Sequence, residues 1–229
     1  MKSKPLVSVI ISVFNEQERI ADAIKSILNQ TYQNLEILVI DDCSTDDTLK
    51  IIKSINSPKI KIFSNSKNIG LTKSLNILIQ NSKGDFIARQ DADDISYPDR
   101  INSQLIYMDK YNLHAVGSRA ILRNSGLKFP GLSFYLPIRF QVLIKNPLIH
   151  GTLLIRKSAL KSLGLYDEDF YYAQDFKLLV DLLNANMNIK IMNQFFYELN
   201  TEDNISSVFK KEQKNYFHKA KKHYKIFNL

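Results

Sequence analysis

Between residues 6 and 91 the chain alternates short, continuously apolar runs with amphipathic ones, and few folds accommodate that pattern. "LVSVIISVF" (6–14) is β-branched and apolar at nearly every position, as suits a strand covered on both faces. The spacing predicts a helix over 16–30, where Ile20, Ala23, Ile24, Ile27 and Leu28 recur on one face. A strand at 35–41, a helix from about Asp46 to Ile55 capped by Ser44 or Thr45, a strand at 59–65, a helix at 71–82 and a strand at 85–91 follow. Strand–helix alternation with short connections predicts an α/β fold: a mostly parallel central sheet flanked by helices, with right-handed crossovers.

The second half is less regular. Pro98 opens a helix to about Lys110, strands are expected at 114–122 and 150–156, and helices at 157–162 and 174–186. Residues 124–137 form a long loop. Residues 1–204 are expected as one domain, with a regular half at about 6–95 and a less regular one at about 96–204. The tail, 205–229, places Phe209, Tyr216, Ala220, Tyr224 and Phe227 at roughly helical intervals between lysines. From Lys210 onward seven lysines stand against Glu212, a net +6 out of the chain's +8. The remainder is nearly balanced, so no nucleic-acid partner is expected. The tail has two readings: a basic amphipathic helix on anionic lipid, or a helix packing its aromatic side onto the domain.

Cys43 is the only cysteine, which excludes an internal disulfide and suits a reducing cytosol. The N-terminus has a short apolar stretch without a small-residue cleavage site, so a first strand is expected there rather than a signal peptide. No run reaches the roughly 18–20 apolar residues of a membrane span.

In a parallel α/β sheet, ligands collect at the carboxyl ends of the strands. The first predicted strand ends in Asn15–Glu16, the second in Asp41–Asp42 and the fourth in Asp91, Asp93 and Asp94. Asp41 and Asp42 could simply cap a helix, and Asp94 and Asp99 could be turn and N-cap residues. Asp91 and Asp93, two apart on an extended segment, face the same way. Such a pair attracts Mg²⁺ or Mn²⁺ that keeps water or phosphate oxygens as further ligands.

Six segments in order, from about residue 6 to 186, resemble family-2 glycosyltransferases of the GT-A fold, the bacterial non-processive type that builds surface polysaccharides such as lipopolysaccharide or capsule. They are "VSVIISVFNE", "LNQTYQNLEILVIDDCSTDDT", "KNIGLTKSLN", "RQDADDISYPDR", "NPLIHGTLLIRKSAL" and "YYAQDFKLLVDLL". The resemblance implies an inverting, metal-dependent transfer of one sugar from a nucleotide sugar, a UDP-sugar being expected, to a saccharide or lipid-linked acceptor. It places Ser12, Phe14, Glu16 and Asp41 around the base, with Asp41 accepting from a pyrimidine N–H. Gly70 and Lys73 fall in the block closing over the nucleotide. Asp91 lies near ribose and metal, Asp93 binds Mn²⁺ or Mg²⁺, and Asp175 is the general base. At the start of a helix, Asp175 is expected to have its pKa lowered by the dipole; its bland reading is an ordinary first-turn acid. His150 contacts phosphate or acceptor, or is a structural histidine. Arg156 meets diphosphate, or is a solvated strand end.

The chain departs from that family at Ser12 and Phe14, where Pro and Tyr are frequent, and at Cys43, where Gly is frequent. The Gln-x-x-Arg-Trp motif of processive synthases is missing. A cytoplasmic location is expected, peripheral on the inner face of the cytoplasmic membrane if the tail binds lipid. Three alternatives remain open. A sugar-1-phosphate nucleotidyltransferase would need a Gly-rich basic loop after the first strand. A haloacid dehalogenase-type phosphatase would carry Asp-x-Asp on its first strand. A non-catalytic relative would bind nucleotide sugar or a partner without turnover.

Overall fold

β1 (Val7–Val13) sits inside the sheet, with β2 (Leu35–Asp41) on one side and β4 (Phe86–Arg89) on the other, both parallel to it. β3 (Ile60–Ser64) extends the parallel set beyond β2. The computed structural model describes residues 4–202 and 209–225. The alternation of β1 explains its double cover. Val7, Val9, Ile11 and Val13 share a core with Ile20, Ile24 and Ile27 of α1 (Ile20–Leu28) and Ile101 of α4 (Arg100–Lys110). Ile10 points the other way, into a core with Leu75, Leu78 and Ile79 of α3 (Leu71–Asn81). α2 (Thr48–Ser54) completes this half. Its start is held by Asp46, whose Oδ1 accepts from Thr48 N at 3.0 Å. The predicted caps act elsewhere: Ser44 Oγ accepts from Asn15 N, and Thr45 N donates to the Asn15 side chain.

Beyond β4 the sheet becomes mixed. Among the described residues the strand order is β3-β2-β1-β4-β8-β6-β9-β5, with β7 paired to β6. β5 is Ile95–Ser96, β6 Ala115–Leu122, β7 Lys128–Phe129, β8 Leu154–Arg156 and β9 Ile189–Leu199. β8 runs antiparallel to both β4 and β6, whereas β9 is parallel to β6. The predicted strand at 150–156 is shorter than expected, because His150–Thr152 form a 3₁₀ turn. There the backbone passes so close to the Asp loop that a Cβ on Gly151 would lie 2.1 Å from Tyr197 Oη and 2.6 Å from Asp91 Oδ2. β9 has no counterpart in the sequence reading. It loses strict alternation because its pairing with β6 slips at Ser118–Ala120.

α5 (Ile138–Gln141), α6 (Lys157–Ser162) and α7 (Gln174–Asn184) follow. α8 (Lys210–Lys222) closes the described chain. Its aromatic side is packed on the protein: Phe217 stacks on Phe176 of α7 at 4.2 Å, Ala220 is fully buried and Tyr224 nearly so. Those side chains are therefore unavailable to lipid, whereas most of the lysines and, among the aromatic residues, Phe209 keep surface in solvent. Residues 205–208 and Phe227 of that tail lie outside the described residues. No helix among the described residues is long and apolar enough to cross a membrane.

Candidate active site

Because β1, β2 and β4 are parallel, their carboxyl ends open on one edge, and a cavity of about 1030 Å³ lies there. Its lining includes Ser12, Phe14, Glu16, Gly70, Asp91, Asp93, His150 and Asp175, eight of the sequence-derived site residues. Phe14 is 45% exposed, so one face of its ring is free. Asn15 and Cys43, in the loops after β1 and β2, have φ of +54° and +67°. That left-handed backbone is where glycine costs least, which accounts for a glycine being frequent at the position of Cys43.

Three predicted residues fall outside the lining. Asp41 is buried behind it. Its Oδ2 accepts from Ser44 N at 3.2 Å, while Oδ1 is a buried oxygen without a hydrogen-bond partner. Lys73 is exposed on α3 and does not reach the cavity. Arg156 is a correction. β8 is antiparallel to β4 and pairs Arg156 with Phe86, the first residue of β4, so it lies at the opposite edge of the sheet. Its Nε donates to Leu113 O there. Strand direction, invisible in the local sequence, removes it from the site.

Asp42, read as a possible cap, organises the loop between β3 and α3 instead. Its carboxylate accepts from Asn65 Nδ2, Ile69 N and Gly70 N at 2.8–3.0 Å. Gly70 has φ +87° and ψ 160°, and a Cβ there would lie 2.4 Å from Tyr171 Cε2. Gly70→Ala is expected to lower the unfolding free energy by about 1–3 kcal/mol in urea titrations, since this backbone region is essentially restricted to glycine.

The acid loop after β4 is held from beneath. Buried Arg89 donates from Nη2 to Asp91 Oδ1 at 2.6 Å. Arg100, fully buried, donates to Arg89 O at 2.7 Å, Gly151 O at 2.8 Å, Ser96 Oγ at 2.7 Å and Gln90 Oε1 at 3.2 Å. Asn200, just past β9, donates its backbone N–H to Asp94 Oδ1 at 2.6 Å and its side-chain amide to Asp93 Oδ2 at 3.0 Å. Tyr197 Oη accepts from Asp91 N at 3.1 Å. Asp94 is thus a buried strut between this loop and the end of β9, not merely the turn residue considered from sequence. Asp99 sits at the N-cap position of α4 without a side-chain cap bond, and instead accepts from Thr31 Oγ1.

Negative charge remains in excess at this edge. Burial and the neighbouring Asp91 push the Asp93 carboxyl above its usual range. Burial and Asp93 do the same to Glu16. Asp94 is raised too, by burial first and then by Asp91 and Asp93. No group of three His, Cys, Asp or Glu side chains among the described residues could enclose a metal. Asp91 and Asp93 stand at a turn rather than on the extended segment expected. One oxygen of each is held, Asp91 Oδ1 by Arg89 and Asp93 Oδ2 by Asn200. The remaining oxygens fit a hard divalent ion that takes its other ligands from phosphate and water.

Asp175 stands in the first turn of α7, on another wall of the same cavity. Its Oδ2 accepts from Asn146 Nδ2 at 2.6 Å, and its Oδ1 from Phe176 N at 2.7 Å. Contrary to the helix-dipole expectation, its pKa is pushed up to about 6, by burial first, with hydrogen bonds opposing and Asp91 adding. Desolvation outweighs the dipole here. His150 bonds Tyr166 Oη through Nε2 at 2.8 Å, and burial and Arg89 depress its pKa to about 3, so it stays neutral. Arg100, Asn146, Tyr166, Tyr197 and Asn200 were not singled out from the sequence. The first two lie inside motif segments that could have flagged them, whereas Tyr197 and Asn200 ride on the unrecognised β9.

A model of glycosyl transferase family 2 matches residues 8–164, well over half of the chain. The chain belongs to that family. EpsE of Bacillus subtilis (strain 168), whose name assigns it to the glycosyltransferases, is 36% identical over 171 residues, covering 72% of this chain and 62% of the relative. An uncharacterized glycosyltransferase of Haemophilus influenzae (strain ATCC 51907 / DSM 11121 / KW20 / Rd) is 36% identical over 195 residues, covering 77% and 60%. The chain thus spans about 60% of the length of these relatives. Among solved structures, S. aureus TarS 1-349 in complex with UDP-GlcNAc superposes with TM-score 0.74 at 23% identity, covering 86% of this chain and 59% of that one. The mannosyltransferase PcManGT from Pyrobaculum calidifontis, in complex with GDP-Man and Mn²⁺, gives 0.76 at 18%, covering 96% and 64%. The fold is GT-A.

Proposed function

We propose that the protein is an inverting, non-processive glycosyltransferase that moves one sugar from a nucleotide-sugar donor to a hydroxyl of a saccharide or lipid-linked acceptor in surface-polysaccharide synthesis. The observation that carries this reading is the pairing, across one cavity, of the Asp91–Asp93 edge with the carboxylate of Asp175. The UDP-GlcNAc and GDP-Man bound by the structural neighbours support a nucleoside diphosphate at the strand edge, with a UDP-sugar as the first donor to test.

Phe14, half-exposed in the lining, is the side chain placed to meet the base, whereas Asp41 and its unpartnered oxygen are buried behind that lining. Asp91 and Asp93 would hold Mn²⁺ or Mg²⁺, which when bound neutralises the diphosphate leaving group. Asp175 accepts the proton of the acceptor hydroxyl as that oxygen attacks the anomeric carbon, and the bond to the diphosphate breaks on the opposite face. One displacement inverts the centre. With a pKa of about 6, Asp175 is ionised at neutral pH yet more basic than an ordinary carboxylate. Association with an anionic membrane on the cytoplasmic side would have to run through the exposed lysines of α8, since its aromatic side is packed.

Calorimetric titration with UDP, GDP, CDP and dTDP, with and without Mn²⁺, tests the reading. One nucleotide is expected to bind with metal, and Asp93→Ala is expected to weaken that binding at least ~10-fold without changing the fold seen by circular dichroism. If no nucleotide binds under any metal condition, the transferase reading fails and a non-catalytic, partner-binding relative becomes the better account.

A further inference from the structure

One wall of the cavity lies outside the family match, which ends at residue 164. It is built from Tyr171 and Tyr172, just before α7, and from Phe209, Gln213 and Lys214, at and within the start of α8. α8 is anchored there. Besides the Phe217–Phe176 stack, the Tyr172 ring lies 5.4 Å from Phe209 and 5.7 Å from Tyr216. Tyr171 and Phe209 are nonetheless 49% and 41% exposed, so each offers ring surface to whatever enters.

Charge divides across the cavity. Glu16, Asp91, Asp93 and Asp94 occupy the strand edge, whereas the lining cations away from it are Lys145 and Lys214. Lys145 is adjacent to Asn146, the residue that bonds Asp175. Neither amine has a hydrogen bond or ion pair among the described residues; Lys145 lies only over the Phe129 ring, at 5.8 Å. By contrast, Lys219 and Lys221 of the same helix donate to Asp169 O and Leu143 O. Among the described residues, then, neither lysine meets an anion, and both line the cavity that also carries the exposed rings of Tyr171 and Phe209. Aromatic faces receive the apolar faces of sugar rings, and ammonium groups receive anions.

We propose that this wall is an acceptor subsite for a saccharide bearing an anionic substituent, with Tyr171 and Phe209 against the sugar and Lys145 and Lys214 on the anion. The assignment rests on the transferase reading and deepens it. It makes the basic C-terminal helix part of the site. It also sets phosphorylated or carboxylated glycosides apart from neutral ones as acceptors.

The test uses the full 229-residue chain saturated with Mg²⁺ and the nucleoside diphosphate selected by calorimetry. Ligand-observed NMR titrations then compare methyl α-D-glucopyranoside, its 6-phosphate and methyl α-D-glucuronide. At least one anionic glycoside is expected to bind ~10-fold or more tightly than the neutral one. Phosphate and carboxylate sources are distinguished by which of the two gains. Lys145→Gln and Lys214→Gln are expected to remove most of that advantage and leave nucleotide affinity unchanged, whereas Tyr171→Ala weakens all glycosides alike. Equal binding of charged and neutral glycosides, binding of none, or loss of nucleotide affinity in the lysine variants would overturn the subsite, the last by assigning the lysines to the donor. Failure of the wild type to bind any nucleotide sinks the transferase reading itself, a result distinct from each of these.

Discussion

Asp175→Asn is expected to lower kcat by about 10²–10⁴-fold while leaving nucleotide affinity within a factor of two, because general-base transfer contributes on that scale. The amide retains the volume and one acceptor oxygen, so it keeps one of the Phe176 N–H and Asn146 contacts, but it cannot take a proton. The pH profile gives the sign. The base must be ionised, and burial holds its pKa near 6, with Asp91 adding to the shift. The acidic limb of kcat against pH is therefore expected near 6 rather than near 4, with activity lost as pH falls through that value. Asn146→Ala removes a hydrogen bond that favours the ionised form, so it should move the limb to higher pH. Stability moves in the opposite sense. A carboxyl whose folded pKa is raised above its unfolded value favours folding when protonated, and that contribution is lost as pH rises from about 4 through 6. Asp175→Asn should consequently unfold no more readily than wild type at pH 7. A limb that stays near 4, or a variant with near-normal turnover, would rule Asp175 out as the base.

The largest stability effect is expected at Arg100. Arg100→Met removes donors to Arg89 O, Gly151 O, Ser96 Oγ and Gln90 Oε1, and leaves those acceptors in the interior. A buried acceptor left unpaired costs about 1–3 kcal/mol, and burial makes relief by water difficult at a fully enclosed guanidinium. Arg100→Lys should recover little, since one ammonium cannot span the positions a planar fork reaches. Denaturant titrations measure the loss. Because Arg100 ties the end of β4 to Gly151 beneath Asp91, metal-dependent nucleotide binding should also weaken under conditions where the variant is folded. A cost below ~1 kcal/mol would mean that water or neighbouring side chains take over the acceptors.

Much of the first half of the chain was legible without coordinates. The 35–41 strand coincides with β2, and the other three strands predicted there lie within two residues of the observed ones. Short apolar runs and 3.6-residue periodicity are local signals, and parallel order follows from their alternation. The acids after β1 and β4 were therefore placed on one edge from sequence. His150 and Asp175 joined them only through the resemblance to family 2, because no local spacing connects those parts of the chain.

Tertiary structure decided the rest, through quantities that sequence periodicity does not carry. Strand direction moved Arg156 to the far edge, and a slipped register concealed β9. The bond from Asn200 to Asp93 spans 107 residues, so no window could have suggested it. Desolvation reversed the expected direction of the Asp175 shift, since burial is a property of everything packed around a residue. The tail's helical periodicity was visible in its aromatic spacing, but what that face would meet was not. The Phe176 ring of α7 took the place offered to lipid, and with that contact the basic helix became a wall of the cavity.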